Sequence, residues 1–243
     1  NGVHYLDITG EISVFEALAA RYAEAKGRGV MLLPGAGFDV VPSDCLAAHL
    51  NRRLPGAMWL VLGIQALGSV SRGTAMTMLE GIERGEGGML RRNGALVTVP
   101  LGENARQIDF GRGPRPTVLI PWGDVSTAYH STGIPNIEVY MALPKPLMQA
   151  MGAGPLLRWL LKAPGVMDLL KHQVRAGAPG PDANRRARGR SFLWGMVEDD
   201  GGRQAASRLT TPEGYSLTTV AALHIVRKVL AGQVKPGYQT PSS

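Results

Sequence analysis

Cysteine is nearly absent: Cys45 is the single one in 243 residues. That excludes an internal disulfide framework and points to a reducing, cytoplasmic compartment. Aromatic residues make up only 6% of the chain and do not interleave with its arginines, so no nucleic-acid partner is expected. The histidines, His4, His49, His130, His172 and His224, are scattered and supply no metal-ligand cluster. No apolar run reaches the roughly 20 residues that cross a bilayer. Asn1-Gly2-Val3-His4 has neither the charged nor the apolar region of a secretory leader. With no initiator Met and a strand almost at once, the sequence reads as a fragment.

What is present is globular, turn-rich and basic. Hydrophobic residues reach 44%, with 32 Gly and 17 Pro, short of the low-complexity range. A net charge of +7 and a pI ≈ 9.9 favour anionic partners such as nucleotide phosphates or anionic lipid.

The chain is organised around Pro34-Gly35-Ala36-Gly37-Phe38-Asp39-Val40-Val41-Pro42-Ser43-Asp44. An apolar run, Val30 to Leu33, feeds a glycine turn, an acid and then a helix beginning near Pro42 or Ser43. In an open α/β sheet, ligands bind where such turns leave the carboxyl ends of strands. Gly35 and Gly37 permit positive φ or close approach of a ligand. Asp39 is either a cap for the next helix or an acid or base in the crevice, and the local sequence leaves both open.

Before this turn, residues 3–8 read as a strand ending at Thr9-Gly10-Glu11. Ser13-x-x-Glu16 has the form of a capping box, and Phe15, Leu18, Ala19 and Tyr22 form one helical stripe that stops at Gly27-Arg28-Gly29. Strand, helix and strand within about 33 residues make a βαβ unit with parallel strands. A helix over Cys45 to Leu54 follows. Residues 1–56 are therefore expected to form the C-terminal part of a Rossmann-type parallel sheet.

The pattern then changes. A β-type run at 58–66, a helix over roughly 75–84, an Asn93-Gly94 hairpin and strands at 106–110, 117–121 and 137–143 follow. Segments 191–198 and 203–210 flank Asp199-Asp200-Gly201-Gly202 as another hairpin. Leu217 to Leu230 is apolar on most faces, which predicts a largely buried helix capped by Ser216 and closed by Gly232. The expected fold class is α/β: a Rossmann-type parallel sheet plus an α+β domain, 57–215, whose mostly antiparallel sheet carries helices on one face. Residues 216–243 are a terminal helix and tail that pack back on the first domain. The Leu- and Met-rich segment 146–174 suits a lid, an interfacial helix pair with peripheral membrane contact, or a subunit contact in a homo-oligomer. Residues 176–190, with Arg185, Arg186, Arg188 and Arg190, read as a solvated linker.

Several of these stretches together resemble a known family. His4-Tyr5-Leu6-Asp7-Ile8-Thr9-Gly10-Glu11 and Gly35-x-Gly37-Phe38-Asp39-x-x-Pro42-Ser43-Asp44 are similar to the saccharopine dehydrogenase-like oxidoreductases, nearest the branch with trans-acting enoyl reductases. Ser71-Arg72-Gly73-Thr74, Ile120-Pro121-Trp122-Gly123-Asp124, Thr211-Pro212-Glu213-Gly214-Tyr215 and Gly237-Tyr238-Gln239-Thr240-Pro241 resemble the same branch. Family members begin with a Gly-x-Gly-x-x-Gly loop that holds the pyrophosphate; this sequence has none.

The resemblance implies an NAD(P)-dependent oxidoreductase, NADP ahead of NAD, whose main cofactor loop is absent from this chain. Thr9, Gly10, Gly35, Gly37 and Phe38 would border the nicotinamide. Asp39 would orient substrate or act as an acid, and Tyr129 or His130 would be proton donors, with core or surface packing as the plainer role of the last two. Ser71, Arg72, Thr74 and Asp124 would meet a small acyl or lipid-like substrate, the helix start at Ser71 to Thr74 favouring an anionic group. As written, the chain would be inactive. A non-catalytic, membrane-associated family member is the competing expectation, motivated by the basic charge and segment 146–174.

Overall fold

Two sheets of unequal size organise the protein, and the loops between them make the site. The computed structural model describes residues 2–67, 71–83, 87–100, 105–142, 165–177 and 180–243. The chain opens with β1 (Tyr5–Leu6), α1 (Ile12–Ala19), α2 (Tyr22–Gly27) and β2 (Met31–Leu33). The last strand, β11 (Gly237–Tyr238), returns to the free edge of β2, giving a three-stranded parallel sheet in the order β1-β2-β11.

The long helix expected over Phe15 to Tyr22 breaks at Ala20–Arg21 into α1 and α2, and of its stripe Phe15 is buried while Tyr22 is exposed. Ser13 does not cap α1. The N-cap is Glu11 without a side-chain bond, and Ser13 lies inside the helix. Glu16 is drawn instead to Arg91 and Ser126, which donate to its carboxylate at 2.5 and 2.7 Å.

After β2 come α3 (Val41–Arg53), β3 (Trp59–Leu67), α4 (Arg72–Glu83), β4 (Gly88–Arg92), β5 (Ala95–Val99), β6 (Ala105–Asp109) and β7 (Pro114–Leu119). Then follow α5 (Asp124–Thr132), β8 (Asn136–Ala142), α6 (Val166–Ala176), α7 (Ala183–Arg188), β9 (Arg190–Glu198), β10 (Gln204–Pro212) and α8 (Gly214–Leu230). The second sheet has eight strands, with the path β10-β9-β3-β8-β4-β5 and with β7 on β8 and β6 on β7. Its pairings are antiparallel except β3 with β8. Asn93 and Gly94, at φ 49 and 80, turn β4 into β5, the double positive φ that an Asn-Gly turn supplies.

Alternation along the strands sorts the two faces. Leu60, Leu62, Ile64, Ile137, Val139, Leu193 and Val197 point to one face and meet Leu46, Leu50, Val125 and Ala128 of α3 and α5, which is the main core. Val61, Leu90 and Tyr140 point to the other, where Ile108, Phe110 and Leu119 of the β6–β7 hairpin join them.

Three expectations change. No residue of α8 is buried: Ile225 and Val229 lean on Met31 and Leu33, while Val220, Leu223 and Leu230 are 65%, 53% and 82% exposed. A helix over a sheet of three short strands can bury only one stripe. Its N-cap is Glu213, whose carboxylate accepts from the Ser216 N–H at 3.1 Å, so Ser216 is the capped group and not the cap. The arginine linker holds a short helix, α7, capped by Asp182. Of segment 146–174, residues 146–164 lie outside the described residues; the rest belongs to α6, tied to α4 by Lys171 and Glu83 at 2.5 Å. Among the described residues no helix is long and apolar enough to cross a membrane.

Arg91 joins the two halves. Only 4% exposed, it donates from Nε to Val125 O, from Nη1 to Gly94 O and from Nη2 to Glu16, and stacks on the Tyr129 ring at 4.2 Å. Replacing Glu16 by Ala would leave this guanidinium buried without a counter-ion. We expect E16A to lower unfolding free energy by about 2 kcal/mol, discounted from the fully buried case because Glu16 keeps some exposure. A urea midpoint equal to the parent's would contradict this.

A candidate active-site crevice

The strands β1 and β2 are too short to satisfy their own ends, and Asp7 does it for them. Asp7 Oδ1 accepts from the Thr9 and Gly35 amides at 3.0 and 2.9 Å, its carbonyl accepts from Ala36 N at 2.7 Å, and the Tyr5 hydroxyl donates to Oδ2 at 2.6 Å. This ties the two carboxyl ends together. Gly35 has φ 75, and a Cβ there would come within 2.9 Å of Phe15 and Val40. At Gly37 a Cβ would meet Thr218 Cγ2 at 3.2 Å. Both glycines serve the protein's own packing, and the Thr9 and Gly35 amides are already committed.

Asp39 stands at the open end of this wall. It does not cap α3, whose N-cap is Val40 without a side-chain bond. Its carboxyl faces Gly10, where a Cβ would lie 2.8 Å from Oδ2. Desolvation in this half-buried corner raises the carboxyl above its ordinary range. The backbone around it is held from two sides. Trp122 Nε1 donates to the Asp39 carbonyl at 2.5 Å, and the Phe38 N–H donates to Thr218 Oγ1 at 2.9 Å.

The first turns of α8 link this wall to the start of α4. The Phe38 ring lies 3.1 Å from where a Gly214 Cβ would be, and Tyr215 Oη accepts from the Ser71 N–H at 2.6 Å. Arg72 donates from Nη2 to Gly177 O at 2.8 Å, tying α4 to the end of α6, and Thr74 lies in the first turn of α4. Thr9, Gly10, Gly37, Phe38 and Asp39 thus gather at one end of α8, with Ser71 one residue contact away. Trp122, Gly214, Tyr215 and Thr218 build the corner and were not singled out from the sequence as site residues. The motifs around Trp122 and Thr211 to Tyr215 were the available signal.

Other expected site residues lie elsewhere. Asp124 is fully buried, which takes it out of reach of a substrate at the surface. Ser43 Oγ donates to its Oδ2 at 2.7 Å, and its Oδ1 has no partner among the described residues. Desolvation pushes this carboxyl well above its ordinary range, with Asp44 and Asp39 adding to the shift and the Ser43 bond opposing it. Tyr129 and His130 occupy the other end of α5: Tyr129 lies under Arg91 with its hydroxyl against Gly94, and His130 packs edge-on to Tyr129 and Tyr238. Desolvation lowers His130. Neither is gathered with Asp39. Cys45 is pushed up to about 11 by desolvation and by Asp44 and Asp124, the reverse of an activated thiolate.

The corner offers a partly exposed carboxyl raised by desolvation, beside the Phe38 ring. Among the described residues no three acids, histidines or cysteines are placed to hold a metal ion. The fit to a dinucleotide is partial: Thr9, Gly10 and Phe38 give a wall for a flat ring, but the occupied amides and filled glycine spaces leave no cradle for a pyrophosphate there.

No family model and no curated protein matches the chain. Among solved structures, it is similar to the apo, histidine-tagged saccharopine dehydrogenase (L-Glu forming) of Saccharomyces cerevisiae, with a TM-score of 0.50 and 14% identity over 93% of this chain and 72% of that one. A meso-dapdh mutant with DAP from Clostridium tetani E88 is matched at 12% identity and a TM-score of 0.37, over 98% of this chain and 68% of that one. The first likeness establishes the fold: a Rossmann-type parallel sheet joined to an α+β domain with a mostly antiparallel sheet.

Because its folded-state value is raised above the unfolded one, Asp124 contributes its full stability only below the ordinary carboxylate range. That stability falls as pH rises toward its folded-state value. D124N, which keeps a neutral acceptor for Ser43, should abolish this decline. Urea midpoints between pH 5 and 8 should fall for the parent relative to D124N; parallel curves would show that Asp124 ionises freely.

Proposed function

We propose that this chain is the C-terminal share of an NAD(P)-dependent oxidoreductase of saccharopine dehydrogenase-like type, reducing the carbon–carbon double bond of an acyl or lipid-like substrate. The observation that carries the reading is the unfinished edge of the small sheet beside the Asp39 corner. Tyr5 of β1 and its neighbours Val3 and Ile8 are 41%, 73% and 56% exposed, and Val220, Leu223 and Leu230 of α8 are uncovered as well. Parallel sheets are ordinarily covered on both faces, and exposed apolar surface of this extent marks a contact. A further strand seated on β1, followed by a glycine loop and a helix, would complete the crevice and bring the phosphate-binding amides that the present residues lack.

A nicotinamide, when bound, supplies a hydride. The residues of this chain serve the other requirements. Asp39, raised by desolvation and still partly exposed, holds the proton that the substrate α carbon must receive, and regains one from solvent. Phe38 presents an aromatic wall. The remaining N–H groups of Arg72 suit a thioester carbonyl at the rim.

A second reading, a non-catalytic lipid-associated protein, is favoured by one feature. The exposed Val220, Leu223 and Leu230 lie on the same helix as Arg227 and Lys228.

Calorimetry with NADPH and NADH separates the two. The 243 residues alone should bind neither, and the natural gene product, with whatever it carries ahead of Asn1, should bind NADPH at least about tenfold more tightly. Tight binding by the 243 residues would refute the split cofactor site; silence from both with retention on anionic vesicles would favour the lipid reading. In the active protein, D39N should slow turnover by about a hundredfold with little change in KM.

A further inference from the structure

The geometry points to Trp122 and Thr218 as positioning residues that fix Asp39 in the crevice by holding the Asp39–Val40 peptide and the Gly37–Phe38 peptide one residue upstream. The inference rests on Asp39 being the proton donor of the proposed reaction. Asp39 lies in a turn, between the end of β2 and the first residue of α3, with Val40 and Val41 both reaching back to Gly37 O at 3.3 and 2.9 Å. Such a turn does not by itself set the direction of a side chain to within the margin that proton transfer needs.

Two side chains from distant parts of the sequence supply the missing restraint. The Trp122 indole, 83 residues away, donates to the Asp39 carbonyl at 2.5 Å. The Thr218 hydroxyl, 180 residues away, accepts from the Phe38 N–H at 2.9 Å and donates to Gly214 O at 3.0 Å. With its proton committed to Gly214, the hydroxyl is oriented as an acceptor for Phe38. The Gly37–Phe38 peptide, one residue upstream of Asp39, is thus fixed from α8, and the peptide after Asp39 from the loop entering α5.

Each anchor is itself held. Trp122 O accepts from Val125 N at 3.1 Å in the opening turn of α5, and the adjacent Gly123 fits tightly, with a Cβ there coming 3.3 Å from Gly10 O. Gly10 in turn bounds the Asp39 carboxyl on its free side. Backbone torsions and side-chain torsions are therefore limited by the same small set of residues. Nothing in the capping or packing of α3 requires this, since Asp39 does not cap it.

The test compares T218V, T218S and W122F with the parent. T218V keeps the volume and removes the hydrogen bonds; T218S restores them; W122F removes the indole N–H and keeps an aromatic ring, though a smaller one. In carbon-13-labelled protein, the Asp39 carboxyl is titrated by NMR after the resonance of Asp124, the carboxyl that interacts with it, has been assigned with D124N. Far-UV circular dichroism and melting establish the fold of each variant. We expect the Asp39 midpoint to move toward the ordinary carboxylate range in T218V and W122F and to stay at the parent value in T218S. In the natural gene product with NADPH and an enoyl thioester, kcat should fall about tenfold or more in the first two, with KM little changed and T218S near the parent.

Superimposable Asp39 titrations in folded W122F and T218V would overturn the clamp. If T218V does not fold, W122F alone decides in the same way. Absence of any NADPH-dependent turnover in the parent would remove the enzymatic reading alone, because the titration reads the clamp without a substrate.

Discussion

The buried guanidinium of Arg91 is the constraint on which the arrangement of the two sheets depends. A cation taken out of water is tolerable only when its donors are satisfied and its charge is answered. Its partners come from α5, from the β4–β5 turn and from α1, so the requirement of one side chain forces three elements into register. The carboxylate that answers it belongs to the small parallel sheet's own helix, and the guanidinium to a strand of the large sheet. With that contact made, the loop entering α5 is carried to the ends of β1 and β2, which is where Trp122 meets Asp39.

The same logic explains which parts of the molecule were legible in the sequence. The βαβ opening, the Asn93-Gly94 hairpin and the alternating strands at 190–198 and 204–212 follow from local rules, and they appear where those rules put them. Glu16 shows where local rules stop. Ser13-x-x-Glu16 satisfies the form of a capping box, but a carboxylate answering a buried arginine gains more than one answering a terminal amide, and Glu16 goes to Arg91. The apolar content of α8 misleads for a related reason. Hydrophobicity predicts burial only when there is enough protein to bury against, and three short strands are not enough.

The crevice was legible as a set of motifs and not as a place. Asp39 and the turn around it could be read from the succession of strand, glycine and acid. The late residues that shape it, Gly214, Tyr215 and Thr218, belong to a helix that begins some 175 residues further on, and no periodicity reports so distant a contact. Tyr129 and His130 show the converse error. They lie near Asp124 in sequence, but a helix advances about 1.5 Å per residue and turns as it goes, so residues five and six further on face a different neighbourhood.

Two carboxyls at this corner, Asp39 and Asp124, are both held above their ordinary range, and the difference between them is access. Asp124 is wholly enclosed, with a serine on one oxygen and, among the described residues, no partner on the other. Asp39 is desolvated by Gly10 and the surrounding loop but keeps exposed surface. A proton donor needs both properties: an environment that keeps the proton at neutral pH, and a path by which it leaves and returns. Of the two acids only Asp39 combines an upward shift with exposed surface. Burial raises both, but at Asp124 the charges of Asp44 and Asp39 add to it, whereas at Asp39 the rise comes from burial.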